Sequence, residues 1–382
     1  MSQPELKPGT ILFTDGPTAY EFVMRMDGSH HGERVLLARR RTAQGPGATV
    51  VLKCVHLPAK PVAQTQRARA RLEEEVQLAE HLRHPGIARV HGLKRVQDTV
   101  YAIAECVEGN SLDTLINMVP EHFLRYSESF VLYVGAQVAN ALAYAHACKD
   151  AQGRPLGIVH RAVDFERIWV TWSGQVKLTD FGQALSQLAG RRASTARRLR
   201  GDAYYLSPEA LLGELVDTRS DLFQLGLVLY EMATGTHPLD PPLAVSSQGA
   251  RPLTVQEQVL VKAAFKRARA AGLEPSVEEL ILRAATYTPE DLEPLAAKLS
   301  APLRGPIIKL LQRDPAARYQ TAQEAELALR AGLERLGAYG LPEAAEEIAD
   351  KLAAAGAQLV TAAGGLAPDP TRRHSQDTVS TR

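Results

Sequence analysis

The chain has 382 residues, enough for one large or two ordinary domains, and at 45% hydrophobic and 23% charged its composition is that of a folded globular protein. A net charge of +1 provides no global field that would draw in nucleic acid or an anionic membrane. Three cysteines (Cys54, Cys106 and Cys148) form an odd set without metal-type spacing, which argues against a disulfide framework or a zinc site and for a reducing compartment. No apolar run reaches about 18 residues, and the opening Met1-Ser2-Gln3-Pro4-Glu5 lacks the basic and apolar regions of a signal peptide. The expected location is therefore cytoplasmic, with neither nucleic acid nor membrane as partner.

Residues 1–16 read as an N-terminal extension. Residues 20–26, 34–39 and 49–55 are β-rich and separated by Gly-containing turns, so three strands are expected. A helix is expected over 68–83, where Leu72, Val76 and Ala79 recur at helical spacing and His84-Pro85 ends the pattern. Residues 100–106 read as another strand. A helix opens at Ser127 with a stripe of Phe130, Val134, Val138 and Leu142, and residues 222–232 are apolar nearly all round, the mark of a helix buried on every side. Between Pro238 and Pro315 three capped helices are expected: capping boxes at Thr254/Glu257 and Ser276/Glu279, and Pro289 at the first helical position after Thr288. Helices over 322–336 and 342–359 follow, and from Thr361 the composition is that of a tail. Strands first and helices afterwards indicate an α+β chain.

The most informative stretch is Ile158-Val159-His160-Arg161-Ala162-Val163-Asp164-Phe165-Glu166-Arg167-Ile168-Trp169, with Asp180-Phe181-Gly182 thirteen residues beyond Arg167. It resembles the protein-kinase catalytic loop H-R-D-L-x-x-x-N and the following D-F-G. Further segments match that family in order over residues 17–337. Val51-Leu52-Lys53 resembles the strand whose lysine holds the α- and β-phosphates, and Glu75, ten residues before Pro85, stands where the pairing glutamate is expected. The segment from Tyr101 to Gly109 is similar to the hinge between lobes, and Leu206-Ser207-Pro208-Glu209 to the end of the activation segment. Asp217-Thr218-Arg219-Ser220-Asp221 leads into the buried helix, and Arg318 stands where an arginine pairs with Glu209. The resemblance is closest to bacterial Ser/Thr kinases. It implies a bilobal fold: a β-rich N-lobe to about residue 108, a helical C-lobe from 109, and a C-terminal helix and tail over 338–382. ATP and Mg²⁺ are the implied cofactors, bound weakly or not at all, with nucleotide contacts at Gly28, Val35, Val51, Lys53, Glu75, Trp169, Asp180 and the hinge backbone of Glu105 and Val107. Asp180 is the implied metal ligand. His160, Arg161, Glu209, Asp221 and Arg318 have implied structural roles.

Several positions depart from the family pattern. Ala162 occupies the place of the catalytic aspartate, and a methyl group accepts no proton. Arg167 replaces the metal-binding asparagine, and a guanidinium has no acceptor for a metal. Asp164 replaces a lysine and reverses the charge beside the γ-phosphate, while Asp202 stands where a threonine is usual. In the glycine-rich loop only Gly28 keeps its place; His30 and Glu33 occupy the second and third, with Gly32 displaced by one. Ala104 is a very small gatekeeper. Trp169 falls beneath the adenine site, where it either stacks on a nucleotide or fills an empty pocket, or else packs in the core; Cys106 reads as a small buried hydrophobe.

These departures describe a pseudokinase acting as a signalling or binding module. The alternative is an active atypical Ser/Thr kinase with Asp164 in place of the missing base; a different transferase chemistry on ATP has no positive signature. The basic stretch 191–200 reads most simply as a solvated loop. Its Ser194 and Thr195, and Ser375 in the tail, are candidate sites for phosphorylation by another kinase, which makes kinases and other signalling proteins the expected partners.

Overall fold

Half-buried strands in the N-terminal part and helices beyond them give two lobes joined by a short connection. The structure is a computed structural model that describes residues 6–26, 33–57, 62–117, 126–188, 202–239 and 252–354. Gly28, His30, Gly32, Ser194, Thr195 and Ser375 lie outside the described residues. The fold is the bilobal α+β architecture expected from the sequence.

The N-lobe is a six-stranded antiparallel sheet in the order β1-β2-β3-β4-β6-β5, formed by β1 (Ile11–Asp15), β2 (Thr18–Met26), β3 (Arg34–Thr42), β4 (Gly45–His56), β5 (Val90–Val96) and β6 (Thr99–Glu105). β1 lies within the N-terminal extension, where no strand is expected from the sequence; Phe13 stacks on Tyr20 with ring centroids 4.6 Å apart and joins the sheet's core. Along β4 the period-two pleat sends Val50, Leu52 and Cys54 into that core and turns Val51 and Lys53 to the other face. Lys53 pairs in register with Ala102, which packs with Ala68 and Leu72 of α1 (Ala63–Ala79). Glu75 follows Ala68 and Leu72 at helical spacing, so the same face of α1 that buries the apolar pair aims Glu75 at Lys53.

The segment after α1 leaves the N-lobe. The amide of Ala88 donates to Leu178 O at 2.9 Å and that of Leu178 to Gly86 O at 2.8 Å, stitching it to β9 (Val176–Leu178) of a small sheet made with β7 (Gly109–Ser111) and β8 (Ile168–Thr171).

The C-lobe core is built on α3 (Glu128–Ala147) and α5 (Thr218–Thr234); α5 is buried on all sides, as its sequence indicates. The short helices α2 (Leu112–Asn117) and α4 (Pro208–Leu212) flank it. Where three helices are expected between Pro238 and Pro315, the described residues form four: α6 (Val255–Ala270), α7 (Ser276–Thr286), α8 (Pro289–Ala296) and α9 (Ala301–Leu310). The box at Thr254/Glu257 forms, whereas Ser276 is already helical and Pro275 takes the cap position, so the second expected box is absent; Thr288 is instead boxed with Asp291. α10 (Ala322–Leu336) packs on α3, followed by α11 (Leu341–Ala354). Cys106, expected to be buried, is half-buried.

α11 is welded to the lobe. It buries Ala344, Ile348 and Leu352, and its Glu347 accepts from the amide and hydroxyl of Ser127, both at 2.6 Å, so a carboxylate sits at the N-terminus of α3. Its first residue lies against the β8–β9 turn at Gly174, where φ is +84° and a methyl group would overlap the Leu341 carbonyl oxygen. Gly153 has a similar φ of +78° with open space around it. Gly153→Ala should therefore lose only about 1–2 kcal/mol for left-handed backbone, and Gly174→Ala a further 1–3 kcal/mol, roughly, for steric overlap. Thermal or denaturant melts of the two variants check this; equal losses would mean that α11 is not docked there.

Candidate functional site

The site lies between the lobes, and its cation comes from the sheet. Lys53 Nζ donates to Glu75 Oε1 at 2.7 Å and to Asp180 Oδ1 at 2.8 Å. Burial alone would lower the ammonium's pKa, but the Asp180 and Glu75 charges outweigh it and raise it, so Lys53 is firmly protonated. Asp180 has left-handed backbone, φ 63° and ψ 68°, sparsely populated for a non-glycine residue. Its carboxyl is held well below the usual carboxylate range: burial would raise it, and Lys53 and Arg167 reverse that.

The loop carrying Ala162 is held from α5. Asp221, which is fully buried, accepts from His160 N at 2.8 Å, from Arg161 N at 2.7 Å, and shares a 2.8 Å hydrogen bond with His146 Nε2. One turn on, Gln224 Oε1 accepts from Val163 N at 3.2 Å. These contacts fix Arg161 at φ 64°. His160 is wholly buried, bonded through Nε2 to Thr179 O at 3.0 Å and set edge-on to Phe181 at 4.5 Å; burial lowers its pKa and keeps it neutral. The Arg161 side chain donates to Gln183 O. Ala162, 1% exposed, presents an apolar surface where the family carries its base.

Beyond Ala162 the charges interlock. Arg167 Nη1 donates to Asp164 Oδ2, the Arg167 amide to Asp164 Oδ1 at 3.1 Å, and Arg167 Nε to Asp180 Oδ2 at 3.3 Å. Burial pushes the Asp164 carboxyl up to about 6 despite the opposing Arg167 charge. Two cations, Lys53 and Arg167, thus face three carboxylates in one continuous chain: Glu75–Lys53–Asp180–Arg167–Asp164.

The residues present suit a nucleotide better than its metal. Mg²⁺ requires near-octahedral oxygen ligands at about 2.0–2.1 Å. Here both oxygens of Asp180 are taken by cations, and Arg167, in the place of the second ligand, offers only donors. Among the described residues no group of three or more His, Cys, Asp or Glu side chains gathers as a metal site. Mg²⁺ does not fit.

Of the residues expected to contact nucleotide, all but Gly28 lie among the described residues. Val35 pairs in register with Lys53, and Val51 with Ala104 at the end of β6. Glu105 is braced from behind: its carboxylate accepts from Lys177 Nζ at 2.7 Å and from Arg89 N at 2.9 Å, while Val107 O accepts from Gly109 N at 3.0 Å. Trp169 is not a core residue. Its neighbours Ile168 and Val170 enter the core, so the indole lies on the opposite face of β8 with its register partner Lys177, half-buried and donating from Nε1 to Glu166 O at 3.0 Å. Glu33 pairs with Arg71 at 3.2 Å, and burial raises its pKa to about 7. Asp202 caps the turn after it, accepting from Tyr204 N at 3.0 Å. His146 and Gln224 were missed by sequence reasoning, since nothing local marks a residue whose partner lies far along the chain.

The comparison with known proteins agrees with this geometry. The family described as "Protein kinase domain" matches residues 34–327. A probable serine/threonine-protein kinase of Clostridium perfringens is 32% identical over 255 residues, covering 66% of this chain and 30% of that protein. The serine/threonine-protein kinase PknB of Mycobacterium tuberculosis is 30% identical over 319 residues, 80% of this chain and 42% of PknB, and the tyrosine-protein kinase MasK of Myxococcus xanthus is 30% identical over 229 residues, 58% and 33% respectively. The chain belongs to the protein kinase family. It spans less than half the length of these three relatives.

Far from the cleft, the family's late ion pair is in place and buried. Arg318 donates from Nη1 and Nη2 to both oxygens of Glu209 at 2.8 Å each, lies over Phe223, and donates also to the carbonyls of Gln312, Arg219 and Arg313; Ser220 Oγ donates to Glu209 Oε1. Removing either partner leaves a buried charge, so Glu209→Ala and Arg318→Ala should each cost about 3–5 kcal/mol in denaturant unfolding. Burial would raise the Glu209 pKa, but Arg318 holds it below the ordinary 4.5. The stabilisation is therefore complete above pH 4.5 and is lost as pH falls through the depressed value. Glu209→Gln should flatten the acid limb of a stability–pH curve; an unchanged limb would show that the pair does not titrate with unfolding.

Proposed function

We propose that the chain is a cytoplasmic pseudokinase, a binding or allosteric module for other signalling proteins, with weak affinity for adenine nucleotides and without phosphoryl transfer. The observation that carries this reading is the pairing of Ala162 with a bound Arg167: the base is replaced by a methyl group, and the cation beside it is tied across Asp164 and Asp180. Phosphoryl transfer depends on positioning and electrostatics, and both are altered here. The cytoplasmic assignment rests on composition and cysteine usage; among the described residues no helix is long and apolar enough to cross a membrane. Relatives named as kinases support the nucleotide affinity through the retained Lys53, Glu75 and hinge.

The active alternative asks Asp164 to serve as base, and its pKa near 6 would suit that task. Against it, both Asp164 oxygens accept from Arg167, one from the side chain and one from the amide, and the residue is 2% exposed. A base engaged on both oxygens and closed from solvent is not presented to an incoming hydroxyl.

Two outcomes test the reading. Radiolabelled ATP should leave no label on the protein itself or on generic protein substrates, since loss of the general base alone costs roughly 10²- to 10⁴-fold in rate. Ala162→Asp alone should not restore transfer, because Arg167 and Asp164 remain. Autophosphorylation that vanishes in Asp164→Asn would establish the active alternative. Second, Trp169→Leu should weaken ATP binding by about 0.5–1.5 kcal/mol in calorimetric titration, because a half-buried indole outside the core is free to stack on adenine. Tighter binding in the variant would mean that the indole blocks the pocket.

A further inference from the structure

We infer that Arg167 is a resident cation standing in for the metal, so that nucleotide binding by this chain is independent of divalent cations. This rests on the nucleotide affinity proposed above and says how the phosphate end is met. Asp180 is the site's best-placed metal ligand by family resemblance, but its carboxylate is shared between Lys53 on Oδ1 and Arg167 on Oδ2, at 2.8 and 3.3 Å. A divalent ion bound there would have to displace one of these donors and then sit against a guanidinium that keeps its charge at any working pH.

Arg167 is not an errant surface side chain. It is only 4% exposed, is clamped by Asp164 through both its guanidinium and its own amide, and follows a loop whose backbone is fixed by Asp221 and Gln224. Its position is thus set before any ligand arrives. Breaking it away would leave Asp164, itself buried, without its cation. Lys53 and Arg167 contact different oxygens of Asp180, so the two cations share the one carboxylate in the cleft between the lobes. Phosphate oxygens entering there meet the Lys53 ammonium and the positive charge of a fixed guanidinium and not a hydrated ion. The ligand class is therefore an adenine nucleotide taken without a metal bridge to the protein.

The test is calorimetric titration of ATP into the full chain, once with excess Mg²⁺ and once with EDTA. The two dissociation constants should agree within about threefold, whereas Arg167→Asn should bind at least about tenfold more tightly with Mg²⁺ than with EDTA, because an oxygen ligand then stands beside a freed Asp180. Arg167→Lys, which keeps a cation, should remain Mg²⁺-insensitive. If Arg167→Asn is unstable, the Asp164→Asn/Arg167→Asn double variant removes the stranded charge and should show the same gain of Mg²⁺ dependence. Tightening of the unmodified protein by tenfold or more with Mg²⁺ would overturn the inference while leaving the nucleotide-binding reading intact. Absence of ATP binding in both buffers would overturn the nucleotide-binding reading and this inference with it.

Discussion

A single buried carboxylate organises the large lobe's side of the cleft. Asp221 has no contact with solvent, and a carboxyl group in such a place is tolerable only with its oxygens hydrogen-bonded. Its partners are two successive backbone amides, His160 and Arg161, together with the His146 ring. The dependence is mutual. The loop supplies the hydrogen bonds that let the acid stay buried, and the acid supports the left-handed backbone at Arg161 that turns the next residues toward the cleft. Ala162, Asp164 and Arg167 inherit their positions from that turn, which explains how the loop keeps its shape after losing its base.

The departures at positions 164 and 167 are better understood together than singly. A carboxylate in place of a lysine and an arginine in place of an asparagine would each leave an unmatched charge in a closed site. Together they form an ion pair, with side chains 3% and 5% exposed. The pair also saturates Asp180, which Lys53 already holds from the sheet. The result is a polar network complete within the protein, of the kind that fixes geometry without necessarily adding stability.

Much of this was legible in the sequence. Ordered motifs placed Lys53 with Glu75 and Glu209 with Arg318, although the partners of the second pair are 109 residues apart. The unbroken apolar run around Leu225 marked α5 as central. Other features had no local signal. Ile11–Asp15 is too short for periodicity to reveal it, and only its partner β2 makes it a strand. Ser276 reads as a cap, but Pro275 is compatible with helical backbone and moves the boundary back by one residue. Asp164 and Arg167 were visible as separate substitutions; their pairing was not, because a spacing of three implies contact in a helix and these residues lie in a loop. Gln224 matters through the Val163 amide and His146 through the Asp221 carboxylate, partners that only the fold brings to them.

The two backbone hydrogen bonds that join Gly86 and Ala88 to Leu178 have a mechanical consequence. They attach the chain just beyond the C-terminal end of α1 to the large lobe, although the helix packs its apolar face on the small one. That end is a fulcrum. Any rotation of one lobe against the other must swing α1 about it, and the far turns of the helix travel further than the near ones. Glu75 lies one turn before that end, so rocking of the lobes displaces it less than the first turns of the helix and favours keeping its grip on Lys53.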